Sequence, residues 1–365
     1  MITLPSELAL LMTFVVAFVV TFLSIPPIVR IARKKNLLEK PSQRRSHTRQ
    51  VPILGGIAIF AGFTVSAGTF INHNFFPALQ YVLVACIIMF FIGLKDDMQA
   101  ISPRKKLAAQ IIASLILIIL GDLNFTSLHG FFGIYEFNSQ IVKMFLTLFV
   151  IILITNSLNL IDGIDGLASS VGIIATLFFG FWFYISGNIE YSLVSAALFG
   201  SLLGFFRYNV SDGKFKIFMG DTGSLIVGLL LSVQVIMFNE LNINSSEISF
   251  SVESAPIVSF AVLIIPLYDT LRVFIIRMSR GRSPFLADKN HLHHCILKLG
   301  FSHIQSTLII VLVSLFFISL AIILQNINKY LLVLIILTLA TILSHFLEKA
   351  IKNNGHKNRT SENVS

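Results

Sequence analysis

Runs of roughly 18 or more apolar residues recur along this chain from one end to the other, and that decides what it can fold into. Each run is long enough to cross a hydrocarbon core of about 30 Å as a helix. A helix satisfies its own backbone polar groups, which is the condition for lying in lipid, so a helical bundle is expected. With 55% of 365 residues hydrophobic and 12% charged, too few charges exist to cover a soluble domain of this length. The 34 Phe and 22 Gly fit lipid-facing aromatic side chains and close helix packing. Cys86 and Cys295 fall in a span and in a loop beside histidines, so no disulfide framework is implied. A formal net charge of +9 reads, in a membrane protein, as an orientation signal and contact with anionic lipid. It does not point to nucleic acid.

At roughly 20 residues per span, an all-α polytopic membrane protein of about eleven transmembrane helices is predicted. They are Leu8–Val29, Ile53–Ile71, Pro77–Leu94, Lys106–Leu120, Ile141–Asn156, Leu167–Ser186, Tyr191–Phe206, Gly223–Phe238, Ala255–Phe274, Ser306–Leu324 and Tyr330–Phe346. The weakest boundaries are the short connections at Gly187 and Asn326. No internal repeat and no soluble domain is visible, so residues 1–347 read as one integral-membrane domain and 348–365 as a basic, disordered cytoplasmic tail. The segment before the first span lacks a basic n-region, so that span is expected to be retained. With the N-terminus outside and the C-terminus cytoplasmic, all of the 27 lysines and arginines except Lys143 and Lys329 fall on the inner side. Asp122, Glu136, Glu190, Glu240 and Glu253 fall in the outer loops. So lopsided a division is the positive-inside signature, and one missed helix would scramble it.

Five segments on that inner side carry polar chemistry. The first runs from Ser46-His47-Thr48-Arg49 into Pro52-Ile53-Leu54-Gly55-Gly56. A basic loop there is chiefly an orientation signal, and His47 is its candidate ligand-binding residue. The second is Lys95-Asp96-Asp97, followed by Lys106 and Gln110. Adjacent carboxylates near hydrocarbon need an offsetting cation. They are either solvated acids capping the next helix or a metal- or phosphate-handling site with Lys106. The third is Asn156-Ser157-Leu158-Asn159-Leu160-Ile161-Asp162-Gly163-Ile164-Asp165-Gly166. Two Asp-Gly pairs bend the backbone and gather oxygen ligands of the type a hard cation takes, without the ligand run of a calcium-binding EF-hand.

The fourth segment, Phe218-Met219-Gly220-Asp221-Thr222-Gly223-Ser224, opens a span. Small residues admit a ligand at a helix N-terminus, where Asp221 is either a cap or a metal ligand facing phosphate. No Gly-Lys-Ser/Thr follows, so it is not a Walker loop. The fifth places Arg280 and Arg282 before His291-Leu292-His293-His294. Nothing completes a tetrahedral zinc site, and the cations look like a phosphate or diphosphate clamp. Taken together, a divalent cation and a phosphorylated, diphosphate-type substrate are expected.

These five ordered motifs resemble the polyprenyl-phosphate N-acetylhexosamine-1-phosphate transferases, over nearly the whole chain from His47 to His294. The Pro-Ile-Leu-Gly-Gly and His-Leu-His-His runs are similar to the branch acting on UDP-N-acetylglucosamine, rather than to the phospho-N-acetylmuramoyl-pentapeptide transferases. The resemblance implies transfer of a sugar 1-phosphate from a UDP-N-acetylhexosamine to a polyprenyl phosphate, with UMP released. It implies Asp221 and Asn159 as Mg²⁺ ligands, with Mn²⁺ as the alternative ion, Asp96 and Asp97 near the lipid phosphate, and Lys106 at the diphosphate. Phe218 would stack on uracil with Asp165 and Asp162 near the nucleoside. His291, His293 and His294 would serve the sugar or diphosphate. Asp269 also matches and is expected to pair structurally with Arg272. Asn290 departs from the arginine that many relatives carry before the first histidine. The setting implied is a bacterial plasma membrane with a cytoplasmic active site, and a homodimer is admitted.

A phosphate monoester with a second pKa of about 6 is already largely dianionic at neutral pH. Asp96 and Asp97 are therefore expected to position groups rather than abstract a proton, the alternative being an aspartyl-phosphate intermediate. A transporter is the competing class. It would need charge pairs near the midplane and repeated halves, neither of which the sequence has.

Overall fold

The computed structural model describes residues 5–37, 50–72, 76–243, 250–279, 281 and 291–362. The helices in chain order are α1 (Ser6–Lys34), α2 (Gly55–Phe70), α3 (Leu79–Met98), α4 (Pro103–Leu115), α5 (Gln140–Ile161), α6 (Leu167–Ile185) and α7 (Ile189–Asn209). They continue with α8 (Gly220–Leu241), α9 (Ala255–Val262), α10 (Ile264–Ser279), α11 (Leu292–Lys298), α12 (His303–Ile323) and α13 (Lys329–Glu362). Each of the eleven predicted stretches falls on helix. Among the described residues, 8 helices are able by length and composition to cross a membrane, or 9 if the bent pair α9–α10 is one span. The remaining two stretches are shorter: α2 has 16 residues, and α4 has 13 before a π turn over Ile116–Leu120.

The stretch read as one span over Ala255–Phe274 is two helices meeting at 83°. Pro266 explains the break. It has no N–H, and in a continuous helix its ring would meet the carbonyl four residues back, at Val262, where α9 ends. The short connection at Gly187 does separate α6 from α7, with φ +80. At the C-terminal end α13 runs through position 348 to Glu362, and Glu348 pairs with Arg272. The seven-residue helix α11 has too short an apolar pattern to have been read from sequence.

The bundle is built around α8, the most buried of the long helices, whereas α1 and α13 lie at the rim. Large apolar side chains point outward all round, among them Leu23, Phe91, Phe145, Phe181, Leu312 and Phe346, as lipid-facing positions require. Buried hydroxyls return their hydrogens to the helix: Thr13 to Ala9 O at 2.6 Å, Ser114 to Gln110 O at 2.7 Å, Ser232 to Gly228 O at 2.7 Å. Against α8, α2 packs backbone to backbone. A Cβ on Gly56 would stand 2.2 Å from Gly223 N.

Helix polarity puts the C-terminal end of α3, the end of α5 and the starts of α4, α8 and α12 together at one end, where the polar motifs gather. At the opposite end Glu240 accepts from Thr126 N (2.8 Å) and Oγ1 (2.7 Å), and Lys329 Nζ donates to His129 O (2.8 Å). Lys143, in the first turn of α5, also belongs to that opposite end.

Gly56→Val is expected to destabilise the fold by about 1–3 kcal/mol through overpacking. Gly68→Ala, where nothing lies within 4 Å of the new Cβ, should be neutral or stabilising by up to about 1 kcal/mol. Thermal unfolding of the two variants in detergent checks the contrast.

Candidate active site

The neighbouring acids Asp96 and Asp97 do different work. Asp97 reaches across to the first turn of α8. It accepts from Asp221 N at 2.7 Å, Thr222 N at 3.0 Å and Thr222 Oγ1 at 2.5 Å. Those N–H groups have no partner inside their own helix, and the positive end of its dipole favours an anion. Asp97 is therefore a cap, but of a helix 124 positions away rather than of the next one. Gly220 makes this possible. It sits at φ +73, and a Cβ there would lie 2.2 Å from Ile53 O and 2.7 Å from Asp97 Oδ2.

The same turn is held from the other side by the Pro52–Gly56 segment. Phe218 N donates to Pro52 O, Gly55 N to Phe218 O and Gly56 N to Met219 O, each at 2.9 Å. The first and fourth motifs are thus one unit, and the backbone of half-buried Phe218 is fixed by it.

Asp96 faces the other way. Its Oδ1 accepts from Ile101 N at 2.9 Å, and its Oδ2 lies 3.2 Å from Lys106 Nζ. Lys106 Nζ is also 3.0 Å from Asp221 Oδ2 and 3.4 Å from Asn159 Oδ1. The Asn159 amide donates to Asp221 Oδ1 and, at 2.7 Å, to Ser224 Oγ, which turns its oxygen toward Lys106. Three residues from three motifs thereby converge on one cation. Two carboxylates and an amide oxygen are hard donors, and the ammonium at their focus marks where positive charge is stabilised. The set fits a Mg²⁺-type ion that completes its shell with water and phosphate. Below it, Asn156 and Gln110 exchange amide bonds at 2.9 and 3.1 Å and clamp α5 to α4, so Asn156 is structural.

A second cluster sits on the turn after α5. Asp162 caps α5 and is half-buried. Asp165 is buried, 2.7 Å from Lys216 Nζ and 3.8 Å from His303 Nδ1. Burial alone would lower the Lys216 pKa, but its bonds to Asp165 and Asp212 outweigh that and raise it. Gly166 N donates to Asn209 Oδ1 at 2.8 Å, fixing the start of α6.

The histidines press on this turn. A Cβ on Gly163 would meet His293 Nε2 at 2.7 Å. His293 is 2% exposed, and its ring lies 5.8 Å from that of His291 and 4.2 Å from that of His294. Burial, reinforced by His294, His291 and His303, holds the His293 pKa well below 6.5. His291 Nδ1 lies 3.0 Å from Asp269 Oδ2.

Of the predicted site residues, Asp96, Lys106, Asn159 and Asp221 meet directly, and Asp162, Asp165, His291, His293 and His294 gather at the adjoining turn. His47, Arg280 and Arg282 lie outside the described residues. Reading the sequence missed Thr222, Ser224, Lys216, Asn209 and His303. The first two stand inside the fourth motif and were available, whereas Lys216 and His303 carry no local signal of what they meet.

Comparison with known proteins bears on the same region. The sequence model for glycosyl transferase family 4 matches residues 79–239, which span the first cluster and Asp165. The chain is 31% identical over 331 residues to a Bacillus subtilis (strain 168) protein named as a probable undecaprenyl-phosphate N-acetylglucosaminyl 1-phosphate transferase, covering 89% of this chain and 88% of that one. It is 29% identical over 285 residues to the undecaprenyl-phosphate alpha-N-acetylglucosaminyl 1-phosphate transferase of Escherichia coli (strain K12), covering 78% and 75%. With the Salmonella typhi enzyme of that name it shares 27% over 314 residues, covering 86% and 81%.

Asp97→Asn should lower stability by about 1–3 kcal/mol, since the cap of α8 loses its charge and one acceptor. Asp96→Asn should leave stability within about 1 kcal/mol, because its partner Lys106 keeps Asp221. Thermal unfolding in detergent distinguishes the neighbours. His293 gives a pH signature. Above about pH 6.5 both folded and unfolded states leave it neutral; below that the unfolded chain takes up a proton the folded one refuses. Its contribution to stability is therefore lost as pH falls below 6.5, by at most about 1.4 kcal/mol per pH unit. His293→Gln should flatten the difference in unfolding midpoint between pH 7.5 and 5.5.

Proposed function

The chain belongs to glycosyl transferase family 4, the polyprenyl-phosphate N-acetylhexosamine-1-phosphate transferases, and from that membership we propose that it moves N-acetylglucosamine 1-phosphate from UDP-N-acetylglucosamine to undecaprenyl phosphate, releasing UMP. The observation that carries the reading is the convergence of Asp96, Asp221 and Asn159 on the Lys106 ammonium. A site built to balance charge is what a diphosphate donor needs, because phosphoryl transfer depends mainly on positioning and neutralisation. The names of the relatives support N-acetylglucosamine as the sugar and undecaprenyl phosphate as the acceptor.

In this reading the lipid phosphate attacks the phosphorus that bears the sugar, the bond to the UMP oxygen breaks, and UMP leaves. Asp221 and Asn159 would hold Mg²⁺, which when bound would neutralise charge on the diphosphate. Lys106 adds a fixed positive charge beside it. Asp97 contributes neither a base nor a nucleophile, since both its oxygens accept hydrogen bonds from the first turn of α8. The acceptor phosphate is already largely dianionic, so no base is required. Phe218, Asp162 and Asp165 serve the nucleoside, and His291, His293 and His294 the sugar or diphosphate. The site end faces the cytoplasm of a bacterial inner membrane, which the position of all lysines and arginines but Lys143 and Lys329 supports.

Purified protein with undecaprenyl phosphate, Mg²⁺ and a panel of UDP-sugars should release UMP with UDP-N-acetylglucosamine and not with UDP-N-acetylmuramoyl-pentapeptide. No UMP from any donor would overturn the reading and leave transport in its place. Asp221→Ala should abolish turnover; full activity there rules out the ion site. Incubation with UDP-sugar but no lipid should leave no phospho-sugar adduct on Asp97 by mass spectrometry.

A further inference from the structure

Asp269 does more than pair with Arg272. It is 1% exposed, on α10 just beyond the break. One carboxylate oxygen lies 3.0 Å from His291 Nδ1, and the other accepts from Leu292 N at 3.0 Å. Arg272 Nη1 stands 3.6 Å from the second oxygen, and the same guanidinium bonds Glu348 on α13. Arg272 also reaches the Cys295 thiol, one turn along α11 from His291. A charged chain therefore runs from the last helix, through α10, to the first histidine of the fifth motif.

We propose that Asp269 is the positioning residue of His291, and that Arg272 and Glu348 hold it in place, so that α13 takes part in aligning the site. An ionised carboxylate only accepts hydrogen bonds, so the atom facing it must be Nδ1–H. That fixes the tautomer and leaves Nε2 as the atom available to a ligand. The bond to Leu292 N fixes the backbone beside the ring as well. Arg272 stops Asp269 rotating away, and Glu348 fixes the guanidinium plane. The effect on turnover rests on the transferase reading above; the tautomer does not.

The test is a double-mutant cycle on the full-length protein with UMP release as the readout. Asp269→Asn should lower kcat by about 10- to 100-fold, the range for partners that orient a ligand-binding histidine, with the KM for UDP-N-acetylglucosamine changed much less. In a His291→Asn background it should cost less than about 2-fold more, since its partner is gone. An equal loss in both backgrounds overturns the proposal. Should Asp269→Asn fail to fold, Glu348→Gln, at a half-exposed residue, is read the same way, with a loss of roughly 3-fold that vanishes without His291. Independently, ¹⁵N-histidine solid-state NMR in bilayers should show His291 protonated at Nδ1, with the signal displaced in Asp269→Asn. An unprotonated Nδ1 overturns the inference even if the enzyme is active, and decides the matter if His291→Asn is inactive. A wild-type protein that releases no UMP but shows the Nδ1–H signal refutes the transferase reading alone.

Discussion

The bond between Asp97 and the first turn of α8 is the interaction on which the polar end of this protein is assembled. One carboxylate takes two backbone N–H groups and a hydroxyl that the helix cannot satisfy itself, and it stacks α3 on α8 in doing so. The geometry needs Gly220 in a left-handed conformation and a second backbone, Pro52–Gly56, on the far side. With the turn held from both flanks, Asp221 has one direction left to point, toward Lys106.

That direction sets two carboxylates around one ammonium at the edge of a low-dielectric slab. Asp96 and Asp221 share Lys106, and Asn159 orients one of those acids while offering its oxygen to the same cation. Uncompensated acids here would be costly. In the proposed reaction an ion and a diphosphate would take over from these internal partners, so that no bare charge is left near hydrocarbon. The neighbouring histidine cluster is held differently, by packing against the Asp162–Gly166 turn and by a carboxylate from α10. The 83° break at Val262 lets α10 leave the direction of α9 and bring Asp269 under His291.

Much of this was legible in the residues. The five motifs were visible because polar groups between long apolar runs stand out, and oxygen-rich, glycine-flanked segments have few other uses there. Asp97 shows where legibility stops. As one of two adjacent acids it was indistinguishable from Asp96, and the reading of a cap was right in kind but assigned to the wrong helix. Asp269 was expected to pair with Arg272, whereas its bond to His291 spans a stretch of chain that no periodicity describes. The bend within Ala255–Phe274 was not foreseen although Pro266 was in view, because hydropathy measures length and not direction.

The sequence by itself determined the class of fold, the helix polarity and the gathering of chemistry at one end. Those arise from hydropathy and charge, which act residue by residue against a fixed slab of lipid. Only the tertiary structure decided which carboxylate caps, which one faces the cation, and which carboxylate orients the first histidine. Those roles depend on distances between segments far apart in the chain, up to 125 positions for the cap, and a hydrogen bond of about 3 Å has no image in a linear pattern.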